Sequence, residues 1–355
     1  MKKLLIVDPY LDVLGGGEEH ILSIGKIFEE KGYQVNLFWH DESILKALQE
    51  RLSIRTENFS IEKNERKGTG YDILLYITDG SYFFPQAKKN YVFCMYPQKT
   101  LYKSNLLNKL KWKNWNFFAN SKYTSSYISE WVGKETDVIY PYIPDEIFER
   151  YSPISSKKKV ILSVGRFFSH LHAKNQHLLI DAFNRLQKNH SMFQDFQLVL
   201  IGGVKKEDEN YFNKVLELSK SNPSISVMKN APYETVLSYY SRASIYWHAS
   251  GLGSDLAGRP EATEHLGITI LEAMACGLIT FAYNSGGPKE TIENGKTGFL
   301  YNSIDELVEK TAKVFSNKQE LAEISKRAFD SCKKTFLYEV FEKNVENYFF
   351  SNLTI

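Results

Sequence analysis

Short apolar runs alternate with segments of helical periodicity along most of this chain. Leu4 to Val7 is a continuous apolar run, which is typical of a parallel strand buried on both faces. Apolar residues then recur at helical spacing within residues 18–31, and Gly32 ends this helix before a second strand over residues 33–39. With a glycine turn at residues 15–17, these segments predict a βαβ unit at the start of the chain.

The same alternation continues to the C-terminus and is interrupted once. In the first half we predict strands at residues 71–76, 91–94, 117–121 and 137–141, and a helix at 122–132. A stretch with Pro141, Pro144 and Pro153, followed by serines and lysines, indicates a linker. In the second half we predict strands at 160–164, 196–201, 224–228, 244–248, 278–282 and 298–300, with helices at 175–187, 211–221, 232–242, 267–277, 288–294, 304–315 and 321–336.

The pattern therefore predicts an α/β protein with two Rossmann-like, doubly wound domains that face each other across a cleft. We place the first domain at residues 1–150 and the second at 151–335. The aromatic, amphipathic segment at residues 336–355 is expected to form a helix that packs back on the first domain.

Composition narrows the function classes. A net charge of +2 over 355 residues gives no reason to expect a nucleic-acid partner. The three cysteines are odd in number and lack metal-like spacing, which favours a reducing compartment. No apolar run reaches the length of a membrane span, and the N-terminal run is too short for a signal peptide. We expect a cytoplasmic protein, either soluble or peripheral to a membrane.

Residues 99–118 are rich in lysine and aromatic residues, with leucines interleaved at roughly helical spacing. One interpretation is a peripheral membrane contact in which the segment touches anionic lipid headgroups. The other is a helix packed on the sheet with a solvated basic face.

Candidate chemistry concentrates in the second half. Glu264 and Glu272 lie eight positions apart, and a helix that begins near Gly267 would direct free backbone amides and the positive end of its dipole toward the preceding loop. Such an end suits a diphosphate. Arg166 and Lys174 follow the first strand of this half and would add two cations. Taken alone, the stretch is also compatible with an ordinary helix bearing two solvated glutamates.

These residues lie in motifs that resemble glycosyltransferase family 4, whose members have the GT-B fold. The resemblance covers nearly the whole chain and is strongest over residues 160–300. It rests on Ser163-Val-Gly-Arg166 with Lys174-Asn-Gln176, on Leu198-Val-Leu-Ile-Gly-Gly203, on Glu264-His-Leu-Gly267 continuing to Leu271-Glu272-Ala-Met-Ala-Cys-Gly277, on Asn284-Ser-Gly-Gly-Pro-Lys-Glu290 and, more loosely, on Gly15-Gly-Gly-Glu-Glu-His20.

The resemblance implies a role for each matching residue. Glu264 and Glu272 would be the two acids of the E-x7-E motif, with Glu264 at the donor sugar and Glu272 at the ribose. Arg166 and Lys174 would hold the diphosphate, and Arg166, Lys174 and Glu264 are the predicted catalytic residues. The other predicted donor-binding residues are Gly16, Gly17, Gly203, Asn230, Leu266, Gly267 and Ile268.

The implied reaction is retaining transfer of a hexose from a nucleotide-diphosphate sugar to a glycan or lipid-linked acceptor, with no cofactor and no metal. Similarity to mannosyltransferases that extend lipid-linked oligosaccharides makes GDP-mannose the first expected donor, with UDP-sugars open. The alternatives are an inactive nucleotide-sugar-binding module and a GT-B UDP-sugar 2-epimerase. His170 and His172 are either a metal pair or, more simply, solvated loop histidines.

The chain departs from the family pattern at three places. Met95 stands where the family often has a histidine. The spacing from Arg166 to Lys174 is longer than usual. Residues 250–263 resemble an insertion before Glu264, in which Asp255, Arg259 and Glu261 are either selectors of donor or acceptor or ordinary surface residues.

Overall fold

The computed structural model describes residues 1–52, 54, 56–169 and 173–351, and it divides into two compact units. The first unit comprises Met1–Tyr142 with Glu339–Ile355, and the second comprises Ile143–Tyr338. The division precedes the predicted boundary at residue 150 because Ile147 and Arg150 contact the second unit. The carbonyl of Ile147 accepts a hydrogen bond from Cys276 Sγ at 3.3 Å, and Arg150 pairs with Glu234 at 3.1 Å.

Parallel strands and helices alternate in the first unit. In chain order its elements up to residue 138 are β1 (Lys3–Val7), α1 (Gly16–Glu30), β2 (Gln34–Phe38), α2 (Ser43–Leu52), β3 (Ser60–Glu62), β4 (Ile73–Ile77), β5 (Lys89–Cys94), α3 (Leu106–Trp112), β6 (Asn116–Ala119), α4 (Lys122–Val132) and β7 (Thr136–Val138). The strands form a seven-stranded sheet in the order β3-β2-β1-β4-β5-β6-β7. Every pairing in it is parallel.

The second unit repeats this plan. Its elements are α5 (Asp145–Glu149), β8 (Lys158–Val164), α6 (Gln176–Asn189), β9 (Gln197–Gly202), α7 (Glu209–Ser219), β10 (Ile225–Lys229), α8 (Tyr233–Arg242), β11 (Ala243–His248), α9 (Ile268–Ala275), β12 (Ile279–Tyr283), α10 (Pro288–Thr291), β13 (Phe299–Tyr301), α11 (Ile304–Phe315) and α12 (Lys318–Phe336). The six-stranded parallel sheet has the order β10-β9-β8-β11-β12-β13. The strand order reverses between β8 and β11, and ligands of such sheets bind at that point, beyond the carboxyl ends of the strands.

The last helix, α13 (Tyr338–Phe350), packs on the first unit. Phe349 contacts Phe28 and Tyr91 edge to face, with ring centroids 5.3 Å and 4.8 Å apart, and Phe341 contacts His20 at 5.7 Å. This aromatic face explains the periodicity of the C-terminal segment. None of the helices in the described parts of the chain is both long and apolar enough to cross a bilayer.

The two doubly wound, Rossmann-like domains predicted from the pattern are confirmed. The pattern did not predict α2, β3 or α5. Strand β3 has three residues, all half-buried, so it presents no apolar run to detect. The glycines at residues 15–17 form less of a turn than expected, because α1 already begins at Gly16 and Gly15 is its N-cap. The amide of Gly15 donates to Glu18 Oε2 at 2.7 Å, which closes the first turn.

Candidate functional site

The candidate site lies in the second unit, where β8 and β11 end on either side of the reversal of strand order. Gly165 follows β8, and its amide donates to the carbonyl of Ile201 at 2.9 Å. A side chain at Gly202 would come within 2.0 Å of the carbonyl of Gly165, so only glycine permits this close approach of two backbones. The Gln176 amide group then donates to the carbonyl of Gly165 at 3.0 Å and to that of Arg166 at 3.2 Å. The loop after β8 is thus held firmly against the sheet.

Lys174 and Glu264, both predicted from the sequence, form an ion pair in this site. Both side chains are only 13% exposed, so the pair is largely removed from water. The stem of Lys174 runs past Gly165, where an added Cβ would meet Lys174 Cγ at 2.9 Å. Asn175 anchors the start of α6 by donating to the carbonyls of Ala249 and Leu252 at 3.0 Å and 3.2 Å. The ammonium group is therefore fixed beside the loop that follows β11.

His248, the last residue of β11, is a third member of this cluster. Its Nε2 lies 2.9 Å from the same Glu264 oxygen that pairs with Lys174, and the residue is 1% exposed. Burial lowers the pKa of His248, so the ring is neutral near neutral pH. A carboxylate can only accept a hydrogen bond, so the neutral ring donates from Nε2. His248 was not predicted from the sequence, although a polar residue that ends a buried parallel strand is a detectable signal.

The loop from Glu264 to Gly267 leads into α9 through a left-handed residue. Gly267 has φ +94°, which glycine adopts without strain, and the helix begins at the next residue. The first amides of α9 have no partner within the helix, as expected at a helix N-terminus. Leu266 is 3% exposed, so its side chain belongs to the core and only its backbone is offered to a ligand, while Ile268 is half-buried.

The turn at Gly286 and Gly287 packs against the backbone of the loop from Glu264 to Gly267. The amide of Gly287 donates to the carbonyl of Glu264 at 2.8 Å. An added Cβ on Gly287 would lie 2.3 Å from Leu266 Cα, and one on Gly286 would lie 2.1 Å from the carbonyl oxygen of Glu264. The sequence indicated a turn at these glycines but not that it carries the Glu264 loop.

Glu272 lies within α9, apart from the Lys174 cluster. One of its carboxylate oxygens accepts a hydrogen bond from the Tyr240 hydroxyl at 2.8 Å. The Tyr246 hydroxyl donates to the carbonyl of Val164 at 3.0 Å and accepts from Thr269 Oγ1 at 2.9 Å, which ties α9 to the end of β8. Both tyrosines are fully buried and were not singled out from the sequence.

Arg166 also follows β8, but its ion pair is with Asp208 and not with Glu264. Its guanidinium donates from Nη2 to Asp208 Oδ2 at 3.1 Å and lies 4.8 Å from the ring centroid of Phe168. The side chain is 39% exposed. Residues 206–210 form a charged run, which by sequence alone is typical of a solvated surface. Asp208 is nevertheless only 4% exposed, because its carboxylate pairs with Arg166.

Gly203 and Asn230 are neighbours at the ends of β9 and β10. The amide of Asn230 donates to the carbonyl of Gly202 at 2.9 Å, and its side-chain oxygen accepts from the amide of Val204 at 2.9 Å. Asn230 has φ +51°, a conformation that asparagine tolerates better than most residues. Asn230 thus links the loop after β10 to both neighbours of Gly203 in the loop after β9.

The remaining predicted residues lie outside this cluster. Gly16 and Gly17 belong to the first unit, where an added Cβ on Gly17 would approach Met95 Sδ to 2.0 Å. Met95 therefore packs directly on Gly17, whereas an added Cβ on Gly16 would have no neighbour within 4 Å. Within residues 250–263, the described contacts of Asp255, Arg259 and Glu261 are with residues of the same loop. Asp255 accepts a hydrogen bond from the Gly258 amide at 3.2 Å, and Arg259 lies 3.5 Å from Glu261.

Across the described residues, no group of three or more His, Cys, Asp and Glu side chains is arranged to hold a metal ion. His170 and His172, the histidine pair noted in the sequence, lie outside the described residues.

Buried histidines make the stability of the second unit depend on pH. Burial lowers the pKa of His265 to about 4, while its Nε2 donates to the carbonyl of Glu261 at 3.1 Å. Below the unfolded-state pKa of about 6.5 the unfolded chain binds more protons than the folded one, so the free energy of unfolding falls as the pH falls. We expect protonation of His265 alone to lower the free energy of unfolding by about 2 kcal/mol as the pH falls from about 7.5 to about 5.

Urea unfolding at these two pH values measures this effect. His265→Gln should flatten the pH dependence, while the same change at the exposed His40 should not. An unchanged pH dependence in His265→Gln would contradict the assignment.

The chain is similar in sequence and in fold to known glycosyltransferases. The family described as "Glycosyl transferases group 1" matches residues 145–331 of this chain. The chain is 34% identical over 219 residues to the human GDP-Man:Man(3)GlcNAc(2)-PP-Dol alpha-1,2-mannosyltransferase and 32% identical over 227 residues to the mouse protein of that name. These matches cover 57% and 59% of this chain but 41% and 43% of the relatives, so the chain spans less than half the length of each.

Solved structures match over almost the whole chain. A glycosyltransferase from Rickettsia africae superposes with a TM-score of 0.74 at 20% identity, covering 98% of this chain and 97% of that one. HepE from Anabaena, solved in complex with UDP and glucose, superposes with a TM-score of 0.68 at 17% identity, covering 98% and 99%. At these identities the likeness concerns the fold, and it confirms the predicted GT-B class.

Proposed function

The chain belongs to the group 1 glycosyl transferases, and from that premise we propose that it moves a hexose from a nucleotide-diphosphate sugar to an acceptor hydroxyl. The observation that carries the proposal is the cluster of Lys174, Glu264 and His248 beside the first turn of α9. It supports binding of an anionic, hydroxylated ligand, because it sets an ammonium group, a carboxylate and helix amides at one sheet edge.

In the proposed reaction, the bond between the anomeric carbon and the β-phosphate oxygen breaks. The amides of α9 with Lys174 and Arg166 stabilise the negative charge that develops on the departing diphosphate. The acceptor oxygen bonds to the anomeric carbon on the face that the diphosphate leaves, so configuration is retained. The hydroxyl proton passes to a phosphate oxygen of the donor.

The two glutamates would hold different parts of the donor. Glu264 would orient the sugar hydroxyls, since its carboxylate is positioned by both Lys174 and His248. Glu272 would accept hydrogen bonds from the ribose, and its contact with Tyr240 would preset its orientation. Because two cations and the helix amides supply positive charge, we propose that transfer needs no metal and no cofactor.

GDP-mannose is the first donor that we propose, because the human and mouse relatives bear GDP-Man in their names. The proposed acceptor is a glycan or a lipid-linked saccharide, again in line with those names. We further propose a cytoplasmic location with peripheral contact to a membrane through residues 99–118, a segment that carries five lysines and no acidic residue.

The proposed activity is tested by thermal shift and donor hydrolysis with GDP-mannose, UDP-glucose, UDP-galactose and UDP-N-acetylglucosamine, in the presence of EDTA. A stabilised protein that slowly hydrolyses one donor is the expected result. Stabilisation without hydrolysis would indicate a binding module instead, and release of the free 2-epimeric sugar with UDP would indicate an epimerase.

Arg166→Ala is expected to slow turnover by about 10- to 100-fold with little change in donor affinity, because the guanidinium acts mainly on charge that develops in the transition state. Its 39% exposure keeps the effect moderate. Arg185→Ala is the matched control, since Arg185 is exposed and pairs with Asp181 and Asp305 away from the site. Steady-state kinetics decide the matter: equal turnover in Arg166→Ala and Arg185→Ala would refute the role.

A further inference from the structure

Between Asp79 and Glu130 the first unit contains no acidic residue. All residues between them that are charged at neutral pH are lysines. These are Lys88, Lys89, Lys99, Lys103, Lys109, Lys111, Lys113 and Lys122. The whole chain is nearly neutral, with a net charge of +2. The positive charge is therefore concentrated in this segment of the chain, and Lys88 forms an ion pair with Asp72, outside the segment, at 2.7 Å.

The structure separates the apolar residues of this segment into two sets. The aromatic side chains of Tyr102, Trp112 and Trp115 are at most 2% exposed and form part of the core of the first unit. The leucines of α3 point the other way, with Leu106 78% exposed, Leu107 54% and Leu110 45%. These three aromatic residues therefore belong to the fold, and the leucines are the apolar groups that this segment exposes.

A cavity of about 340 Å³ lies beside these leucines. Lys109, Lys113 and Lys134 line it together with Trp112, Val132 and Gly133, and none of these six residues is acidic. Lys134 is held in place by donating to the carbonyls of Trp112 and Trp115 at 2.9 Å and 2.6 Å. Lys134 also donates to the carbonyl of Lys113 at 3.4 Å, so its three N–H groups are used within the fold and it adds only positive charge. The ammonium groups of Lys109 and Lys113, with no carboxylate in the cavity lining, suit a phosphate group.

We propose that this surface docks on an anionic lipid bilayer. We define the α3 face as Leu106, Leu107 and Leu110 with the cavity lysines Lys109, Lys113 and Lys134. The leucines enter the boundary between headgroups and acyl chains, and the cavity takes the phosphate of an anionic lipid. The inference rests on the proposed function in one respect: a bilayer is where a lipid-linked acceptor would be met.

Charge decides between a bilayer and the other occupants of an apolar face. A second copy of the chain would bring the same lysines against their equivalents, and like charges across an interface are repulsive. A neutral bilayer would bury the leucines but would have no net negative charge to balance the lysines of the α3 face. An anionic bilayer matches both halves of the face.

Vesicle cosedimentation of the full chain tests the proposal, using vesicles of phosphatidylcholine alone and of phosphatidylcholine with phosphatidylglycerol. We expect binding to the anionic vesicles that weakens with added salt. The combined change Leu106→Ser, Leu107→Ser and Leu110→Ser should weaken it by about tenfold or more. Lys109→Gln with Lys113→Gln should weaken it and reduce its salt dependence.

Leu218→Ser is the matched control, because Leu218 is a comparably exposed helix leucine, at 41%, in the second unit. It should leave vesicle binding unchanged. Binding that is equal on neutral and anionic vesicles, binding that survives the triple leucine change, or a loss in the control would each overturn the proposal. Binding of inorganic phosphate without any binding to anionic vesicles would also overturn it, in favour of a free-anion site, as would a concentration-dependent dimer that the leucine change abolishes.

Failure of this proposal is distinguishable from failure of the proposed function. Vesicle binding is measured without any nucleotide sugar, and donor hydrolysis is measured without vesicles. Absence of vesicle binding with intact hydrolysis rejects only the α3 face. Vesicle binding without hydrolysis of any donor rejects only the transferase.

Discussion

Lys174→Met is expected to reduce sugar transfer by about 10²- to 10³-fold, the range found when a single group that stabilises a developing anion is removed. Methionine keeps the apolar stem that runs past Gly165 and removes only the ammonium group. Donor affinity should change less than turnover, because the charge on the diphosphate grows in the transition state.

The same change should lower stability, since it leaves Glu264 as a buried carboxylate with one fewer partner. Removing one member of a buried pair costs about 3–5 kcal/mol, and at 13% exposure this pair belongs near the low end of that range. Glu264→Gln should reduce turnover by a similar factor. The double variant Lys174→Met with Glu264→Gln should lose far less than the sum of the two single losses, because the residues act as one unit.

Turnover of the three variants and urea unfolding provide the measurements. Lys296→Met is the control, because Lys296 pairs with Glu293 on the surface, where both side chains are more than 60% exposed and such a pair contributes little. Additive losses in the double variant would show that Lys174 and Glu264 act independently, which contradicts the arrangement in the structure.

Gly287→Ala should have the second large effect, through the backbone and not through any charge. The new Cβ would lie 2.3 Å from Leu266 Cα and 2.6 Å from the carbonyl oxygen of His265. Both are main-chain atoms, so no side-chain rotation relieves the clash and the Glu264 loop must move. Overpacking costs about 1–3 kcal/mol or more, and a displaced Glu264 loop should also abolish the stabilisation by donor.

Thermal unfolding with and without nucleotide sugar measures both consequences. Gly203→Ala is the control for stability, because its Cβ would have no neighbour nearer than 3.9 Å. A melting temperature of Gly287→Ala equal to that of the parent would show that the turn does not support the Glu264 loop.

The α/β alternation could be predicted from local pattern because a parallel strand covered on both faces is a short, continuous apolar run, as in β1 and β9. The helix start at Gly267 was also predictable, since glycine there accepts the left-handed conformation found in the structure. Boundaries of weak elements were not predictable. Strand β3 has no buried residue, and its pairing with β2 alone defines it.

Candidate residues were predictable as residue types at given spacings, but their partners were not. Sequence spacing placed Lys174 and Glu264 in the same half, and strand order brings them into contact across 90 positions. Asp208 looked like part of a solvated charged run, and only the fold shows it beneath Arg166. His248 and Tyr240 acquire their roles in the same way, from the packing of α9 against β11 and α8.

The fold class, the two-domain plan and the segment from Glu264 to Glu272 are predictable from the amino-acid sequence, because they depend on periodicity and on residues near one another in the chain. The pairing of charges, the glycines at which no Cβ fits and the outward orientation of the α3 leucines beside buried aromatic residues emerge only in the folded chain. Those properties depend on distances between segments that are far apart in the chain. The order of the strands in each sheet determines these distances.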